Sequence, residues 1–342
     1  MGLAGSALAK ELLDRDVDFL LVNRRNVSAS SMVAAGIFNP VVFKRLTLTW
    51  LASKTLPKMF DFYRAMEDLL EEKFLIQMPL LKLLNQEELD FWEKRSRSSH
   101  EVAGFISSIT SKPKLRGVNS FDAYAEIGSS GYVRIKNMLL SFAEYLTNKG
   151  RYIESDFEYK DLIVKKDSVE WRGIKAKKII FCQGVLNQGN PYFNRVTFYP
   201  VLGEILRIRS DRLDEDKILN KNCFILPQSN HEFLVGSTYH WSYNEIQPTE
   251  KGRTELFVKL QDILDHVPHI IDFFAGVRPT IKDRRPVLGF HPDFPSLGIF
   301  NGLGTRGVML APYFAEQMAN LFENPDYKIT PEVKLQRFLN PM

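Results

Sequence analysis

Hydrophobic and polar positions alternate with two different periods along this chain. Ser6 to Arg15 sets Ala7, Leu8, Leu12 and Leu13 at helical spacing, and Val17-Asp18-Phe19-Leu20-Leu21-Val22 then reads as a buried strand. From Trp50 to Phe74, Leu51, Leu56, Phe60, Tyr63, Met66 and Leu70 recur at helical spacing, and Gln86 to Arg97 adds another helix. Together these read as a helical insertion. Val133 to Leu146 is a further amphipathic helix, closed by Asn148-Lys149-Gly150 in the manner of a C-terminal cap. Between these patterns, Ser28 to Pro40 is a run of small residues that would let a flat ligand lie against backbone.

Past residue 150 the spacing shortens. Tyr152 to Tyr159, Leu162 to Lys166 and Ser168 to Trp171 alternate as strands, and Lys178-Ile179-Ile180-Phe181 is a buried strand stopped by Cys182-Gln183-Gly184. A small-x-Gly strand end implies close backbone approach. Glu204 to Arg209, Cys223 to Leu226 and Glu232 to Val235 have the spacing of an antiparallel sheet. Leu297 to Phe300 runs through Asn301-Gly302-Leu303-Gly304-Thr305-Arg306-Gly307 into a helix over Val308 to Phe322.

The glycines at the two ends carry the candidate chemistry. In a G-x-G-x-x-G turn the first glycine permits the bend, the second admits a pyrophosphate to the backbone, and the third lets helix pack on strand. Gly2 and Gly5 fit the second and third, which puts Met1 on the x before them. Two alternatives stay open: a reading frame that begins upstream, or a version without the first central strand. An acidic residue normally ends the strand that follows such a turn and holds the ribose; here that position is Asn23. An amide accepts one such bond without the carboxylate's charge, which weakens ribose holding by about 1 kcal/mol.

Composition narrows the class. A chain of 342 residues, 44% hydrophobic and 25% charged, builds one large domain or two intertwined ones and is neither disordered nor fibrous. A net charge of +4, from 45 basic and 41 acidic residues, gives no reason to invoke nucleic acid or an anionic membrane. The Lys112-Pro113-Lys114-Leu115-Arg116 cluster reads as solvated loop. No apolar run approaches the roughly 18 to 20 residues of a membrane span, and Met1 to Leu13 lacks the basic start and cleavage site of a signal peptide, which places the protein in the cytoplasm. Cys182 and Cys223 are too few for a disulfide framework or a zinc cluster, so no metal is expected and both thiols are read as reduced.

Taken in order, six segments resemble the D-amino-acid oxidase family of flavoproteins, which includes glycine oxidase and sarcosine oxidase. They are Gly2-Leu3-Ala4-Gly5 with its helix and strand, Ser30-Ser31-x-x-Ala34-Ala35-Gly36, Phe181-Cys182-Gln183-Gly184, Gly236-Ser237-Thr238, Gly276-Val277-Arg278-Pro279-Thr280 with Asp283-Arg284-Arg285-Pro286, and Gly302 to Pro312. The resemblance implies an α/β protein of two domains. A Rossmann-like FAD-binding domain would take residues 1–45, 125–190 and 276–342, and an antiparallel-sheet and helix substrate domain would take 46–124 and 191–275. Gly2, Leu3, Ala4 and Gly5 would hold the pyrophosphate at the positive end of the first helix. Asn23 and Arg24 follow the next strand, Ser31, Ala34, Ala35 and Gly36 would flank the flavin, and Phe157 would lie on the adenine side. Cys182 and Gly184 would approach the cofactor. Gly302, Gly304, Thr305, Arg306 and Gly307 would aim amides at the charge of the reduced flavin.

Members of the family oxidise a carbon bearing an amine, with hydride passing to flavin N5 and electrons to oxygen or another acceptor; the flavin carries the chemistry and the protein orients it. The implied partner is therefore a small amine or amino acid. Arg278 is the first choice for its carboxylate, since a guanidinium binds that group bidentately. The alternative for Arg278 is a buried structural arginine, paired with Asp283 or capping a strand. Arg306 is not assigned to substrate, and Thr305 is either a flavin contact or an ordinary turn residue. Tyr239 and Trp241 could border the cavity, with a core cluster as the other role for Trp241. His240 is a proton-transfer candidate beside its reading as a plain polar histidine. Cys182 also reads as a small buried apolar side chain, and Lys44 and Arg45 stay unassigned. Two other functions remain: an oxidase of a tRNA aminomethyl group, and a flavin-free pseudoenzyme if Met1 is the true start.

Overall fold

The computed structural model describes residues 1–24, 29–111 and 114–339. Ser28, at the head of the small-residue run, and Lys112 and Pro113 of the basic cluster lie outside the described residues. The first helix, Leu3–Asp14, starts at Gly2 with no side chain capping it, and it buries Ala7, Leu8 and Leu12. It shares one core with the helices Ala52–Leu70, Ile135–Asn148 and Gly307–Glu323. The first and last helices meet at their starts, where a Cβ on Gly307 would stand 3.1 Å from Leu3 Cδ1.

The parallel layer beneath these helices is in two pieces. Leu21–Asn23 pairs in parallel with Tyr152–Glu154, and Ile179–Phe181 pairs in parallel with Leu297–Asn301, which takes Val287–Phe290 on its other side. The two pieces share no ladder among the described residues, and Leu21, Val22, Ile179 and Phe181 face one cavity together with Leu8 and Leu12. This explains why the expected strand Val17 to Val22 shrinks to three residues: with a neighbour on one side only, its first half has no strand partner for its backbone groups.

The second layer is continuous. Eight strands run in the order His269–Arg278, Val201–Arg209, Glu232–Gly236, Phe224–Pro227, Ile218–Asn220, Leu80–Leu84, Ala123–Ile127, Ile106–Ser111. Every neighbouring pair is antiparallel except Ile218–Asn220 with Leu80–Leu84. On one face Leu81, Leu206, Ile225 and Val235 pack with Leu256, Leu260 and Ile263 of the helix Glu250–Ile263. The opposite face turns Gly203, Ile205, Phe224 and Leu80 toward the cavity. The region read as a helical insertion thus also contributes strands. Leu80–Leu84 is buried at all five positions, so it lacks the alternation that would have betrayed it. The strands Ala123–Ile127 and His269–Arg278 both belong to this sheet and span the positions 125 and 276 at which the domains were expected to change.

Candidate active site

A cavity of about 1590 Å³ runs from the first helix to the eight-stranded sheet. It exceeds the roughly 300 to 1,000 Å³ of a pocket for one small molecule. Gly2, Leu3, Ala4 and Gly5 open it, beside Ser31, whose hydroxyl accepts from the Leu3 amide at 3.1 Å. A Cβ at Gly5 would stand 3.6 Å from the Cβ of Cys182, so turn and strand end are in contact. Gly36, at φ +76°, has its Cα within the reach of Val133: a Cβ there would lie 2.0 Å from that carbonyl oxygen. Ala34, Ala35 and Gly36 line the wall. Gly302 and Gly304 both have positive φ, and around Gly304 no heavy atom stands within 4 Å of where a Cβ would be. That turn opens the last helix at Gly307, again with no side-chain cap.

At the far end, Asn23 donates its amide N–H to the Tyr152 hydroxyl at 2.9 Å, and Arg24 sits exposed with its Nε 3.4 Å from Asp156. Phe157 stacks on Trp171 with centroids 5.3 Å apart and lines the same cavity. Burial draws the amino group of Met1 down to about 6, against the opposing charge of Glu154. Burial also pushes the Cys182 thiol up to about 12, so it stays a neutral thiol beside Gly5. Gly184, at φ +57°, offers its carbonyl to Asn301 Nδ2 at 2.9 Å.

The sheet end is cationic. Arg278 folds its guanidinium over Gly203, where a Cβ would stand 2.2 Å from Nη2, so no larger residue fits beneath it. Nη2 donates to Ser237 Oγ at 2.7 Å and Nη1 to the Thr238 carbonyl at 3.2 Å, with the group 4.4 Å above the Tyr239 ring. Arg306 donates through Nη1 to Thr49 Oγ1 at 2.7 Å. Among the described residues neither arginine pairs with a carboxylate. Desolvation lowers both below the usual guanidinium range, the Tyr239 phenol is the charge neighbour of each, and both remain cationic. Asp283 pairs instead with Arg337 at 3.1 Å, so the pairing with Asp283 is not adopted, whereas the bonds of Arg278 to Ser237 and Thr238 do cap the end of the strand Glu232–Gly236.

His240 is not among the residues lining the cavity. Its ring nitrogens face Glu204 at 3.2 Å and Glu255 at 2.9 Å, behind the sheet. Trp241, Lys44 and Arg45 are exposed and likewise away from the lining, whereas Thr305 is exposed and lines it. Sequence reasoning missed Glu204. Fully buried, it accepts from Thr238 Oγ1 at 2.9 Å and from the Thr249 amide and hydroxyl at 2.7 and 2.9 Å, fixing the Ser237–Tyr239 turn from behind. A Gly-Glu pair inside the apolar run Val201–Arg209 was the available signal, since a strand interior rarely carries either without a packing reason. Thr49, which holds Arg306, left no signal.

A glycine-lined trough meeting two helix starts, with two guanidiniums in its lining, has the form of a dinucleotide-cofactor site. The chain belongs to the FAD dependent oxidoreductase (DAO) family, which matches it over residues 1–321. In sequence it is 33% identical to glycine oxidase of Bacillus licheniformis over 128 residues, 36% of this chain and 34% of that protein. The matched stretch thus spans about a third of that relative. It is 21% identical to the tRNA 5-methylaminomethyl-2-thiouridine biosynthesis bifunctional protein MnmC of Marinobacter nauticus, over 93% of this chain and 54% of the relative. In structure it resembles glycine oxidase from Bacillus cereus (TM-score 0.77, 19% identity, 95% of this chain and 93% of the other). It also resembles iminodiacetate oxidase from Chelativorans sp. BNC1 (TM-score 0.77, 18% identity, 97% and 96%).

The residues present fit FAD. Two helix starts without side-chain caps face one cavity, and anionic groups are favoured at such ends. The turn at Gly304 leaves open space where any other residue would place a side chain. Leu3, Ala4 and Gly5 would hold the pyrophosphate, Asn23 the ribose, and Ala34 to Gly36 with Gly304 to Arg306 the flavin; Gly302 is not among the residues lining the cavity, and a Cβ there would stand 2.3 Å from Ile281 Cδ1. No helix among the described residues is long and apolar enough to cross a membrane, and no metal-ligand cluster occurs among them.

Proposed function

We propose that this protein oxidises the carbon–nitrogen bond of an amino acid or secondary amine that bears a carboxylate, and passes the electrons to oxygen or another acceptor. FAD bound along the glycine turns would supply the two-electron acceptor. The observation that carries this reading is a pair of partly desolvated guanidiniums, Arg278 and Arg306, that share a cavity and have no carboxylate of their own among the described residues. A half-buried cation that faces a cavity without a carboxylate partner favours an anionic group in the ligand. Arg278 has both terminal nitrogens fixed by Ser237 and Thr238, which aims its remaining donors and lowers the entropy lost on binding. The Tyr239 ring covers one side of it and excludes water. Residues 1–45, 125–190 and 276–342 serve the cofactor in this reading, and the remainder the substrate. The free thiols Cys182 and Cys223 accord with a cytoplasmic site of action.

The test is anaerobic. Purified protein should be yellow, and the colour should bleach under argon on adding one member of a panel of amino acids and secondary amines. Persistence of the colour with every amine would refute the reading. A tRNA aminomethyl substrate is the second reading, favoured by the length of the MnmC match. Bleaching by undermodified tRNA and by no free amino acid would select it.

A further inference from the structure

We infer that the substrate is not glycine-sized but carries an apolar group of about aromatic length, which lies across the eight-stranded sheet. The inference rests on the proposed function and deepens it. Directly paired residues of a sheet project to the same face. The register Gly276–Gly203 and the next row Phe274–Ile205–Gly236–Phe224–Asn220 therefore form one floor with Arg278, two residues beyond Gly276. Gly203, Ile205, Asn220, Phe224, Gly276 and Arg278 all line the cavity, and Leu80 closes it further across the sheet.

Glycines decide how this floor is used. Gly203 lies under the Arg278 guanidinium, and Gly236 lies under the Phe224 ring, where a Cβ would stand 2.9 Å from Cζ. The ring therefore leans one strand toward the arginine. With strands ~4.8 Å apart and ~3.3 Å of rise per residue, the carboxylate anchor and the ring are roughly 8 Å apart. A glycine with its carboxylate on Arg278 leaves that span open. None of these floor residues is acidic, so nothing there would hold a second ammonium or favour a polar tail other than through Asn220. Phe224 is half-buried and keeps apolar surface that a substituent lying against it would take out of water, while Ile205 and Leu80, 5% and 1% exposed, are the packed support beneath.

The group could sit on the α-carbon or on the amine nitrogen, and a substrate series separates the two. Glycine, D- and L-phenylalanine and N-benzylglycine are compared by kcat/KM, with at least one aromatic compound expected about 100-fold above glycine. A D- or L-phenylalanine preference places the group on carbon, and N-benzylglycine places it on nitrogen. Binding is read independently of turnover by calorimetry of the flavin-loaded protein with acetate and with 3-phenylpropanoate. The longer acid should bind about 100-fold tighter, and Phe224→Ala should reduce that ratio at least tenfold. Equal binding of the two acids, or glycine as the best substrate, overturns this inference while leaving the proposed function standing. Binding of neither acid, with no amine oxidised, removes the reading beneath it as well. Should Phe224→Ala fail to fold, the two-acid ratio on the unaltered protein decides.

Discussion

The two halves of this molecule are built to different standards of cohesion. On the substrate side eight strands hydrogen-bond in one sheet, one face closed by a helix and the other floored by glycines and apolar residues. On the cofactor side the parallel layer is two short ladders facing a common cavity. A sheet that is whole places Arg278 beside the Ser237–Tyr239 turn that holds its guanidinium. A layer in two pieces depends on what lies between them, so ligand binding there adds directly to stability. The difference teaches that the sheet carrying Arg278, the proposed substrate anchor, does not depend on the two parallel ladders being joined.

Removing the anchor should have the largest effect. Arg278→Ala is expected to lower kcat/KM across the amine panel by about 30- to 5,000-fold, about 2 to 5 kcal/mol for a desolvated charge-assisted pair. Arg306→Ala, whose guanidinium is already held by Thr49, should cost less than Arg278→Ala in the same assay.

Next, hydrogen exchange should separate the halves. Amides of Leu21–Asn23 and Ile179–Phe181 should exchange roughly 100-fold faster than those of Val201–Arg209, which has a partner strand on each side. Saturating FAD should slow the first set and leave the second nearly unchanged. Equal protection in both would erase the contrast.

Lys82 gives the substrate half its own signature. It lies 7% exposed in the central strand Leu80–Leu84, and burial lowers it to about 8 while Glu88 opposes the shift. Its pKa is depressed in the fold, so between about pH 8 and the unfolded value near 10.5 the unfolded chain binds the extra proton. Stability should therefore rise with pH across that window, and the full penalty is felt below it. Lys82→Met should flatten the rise and add roughly 1 to 3 kcal/mol near neutrality, measured by urea unfolding.

The smallest expected effect is at the ribose. Asn23→Asp should tighten FAD two- to fivefold, about 0.4 to 1 kcal/mol, because a carboxylate adds charge and a second acceptor. The gain is limited by Glu154, which stands directly opposite residue 23 in the ladder.

Much of this arrangement could be read along the chain because glycine and helix-start signals are local. Gly2, Gly5, Gly36 and Gly304 announce backbone that a ligand or another strand approaches, and the structure brings them to one cavity, whereas Gly302 is a packing glycine against Ile281. Arg278 was legible for the same reason, set between Gly276 and Pro279. What stayed hidden depends on pairing across distance. Leu80–Leu84 carries no period because both faces are covered, and the shortening of Val17 to Val22 follows from a neighbour it lacks on one side. His240 looked like a free acid or base because its partners Glu204 and Glu255 are 36 and 15 residues away. No local pattern reports such contacts.

The central claim is that the glycine-lined cavity holds FAD. Protein reconstituted with excess FAD, desalted and heat-denatured should release one equivalent of FAD per chain, identified by its absorbance and fluorescence. Release of no flavin from protein whose circular dichroism is that of a folded α/β chain would contradict the account.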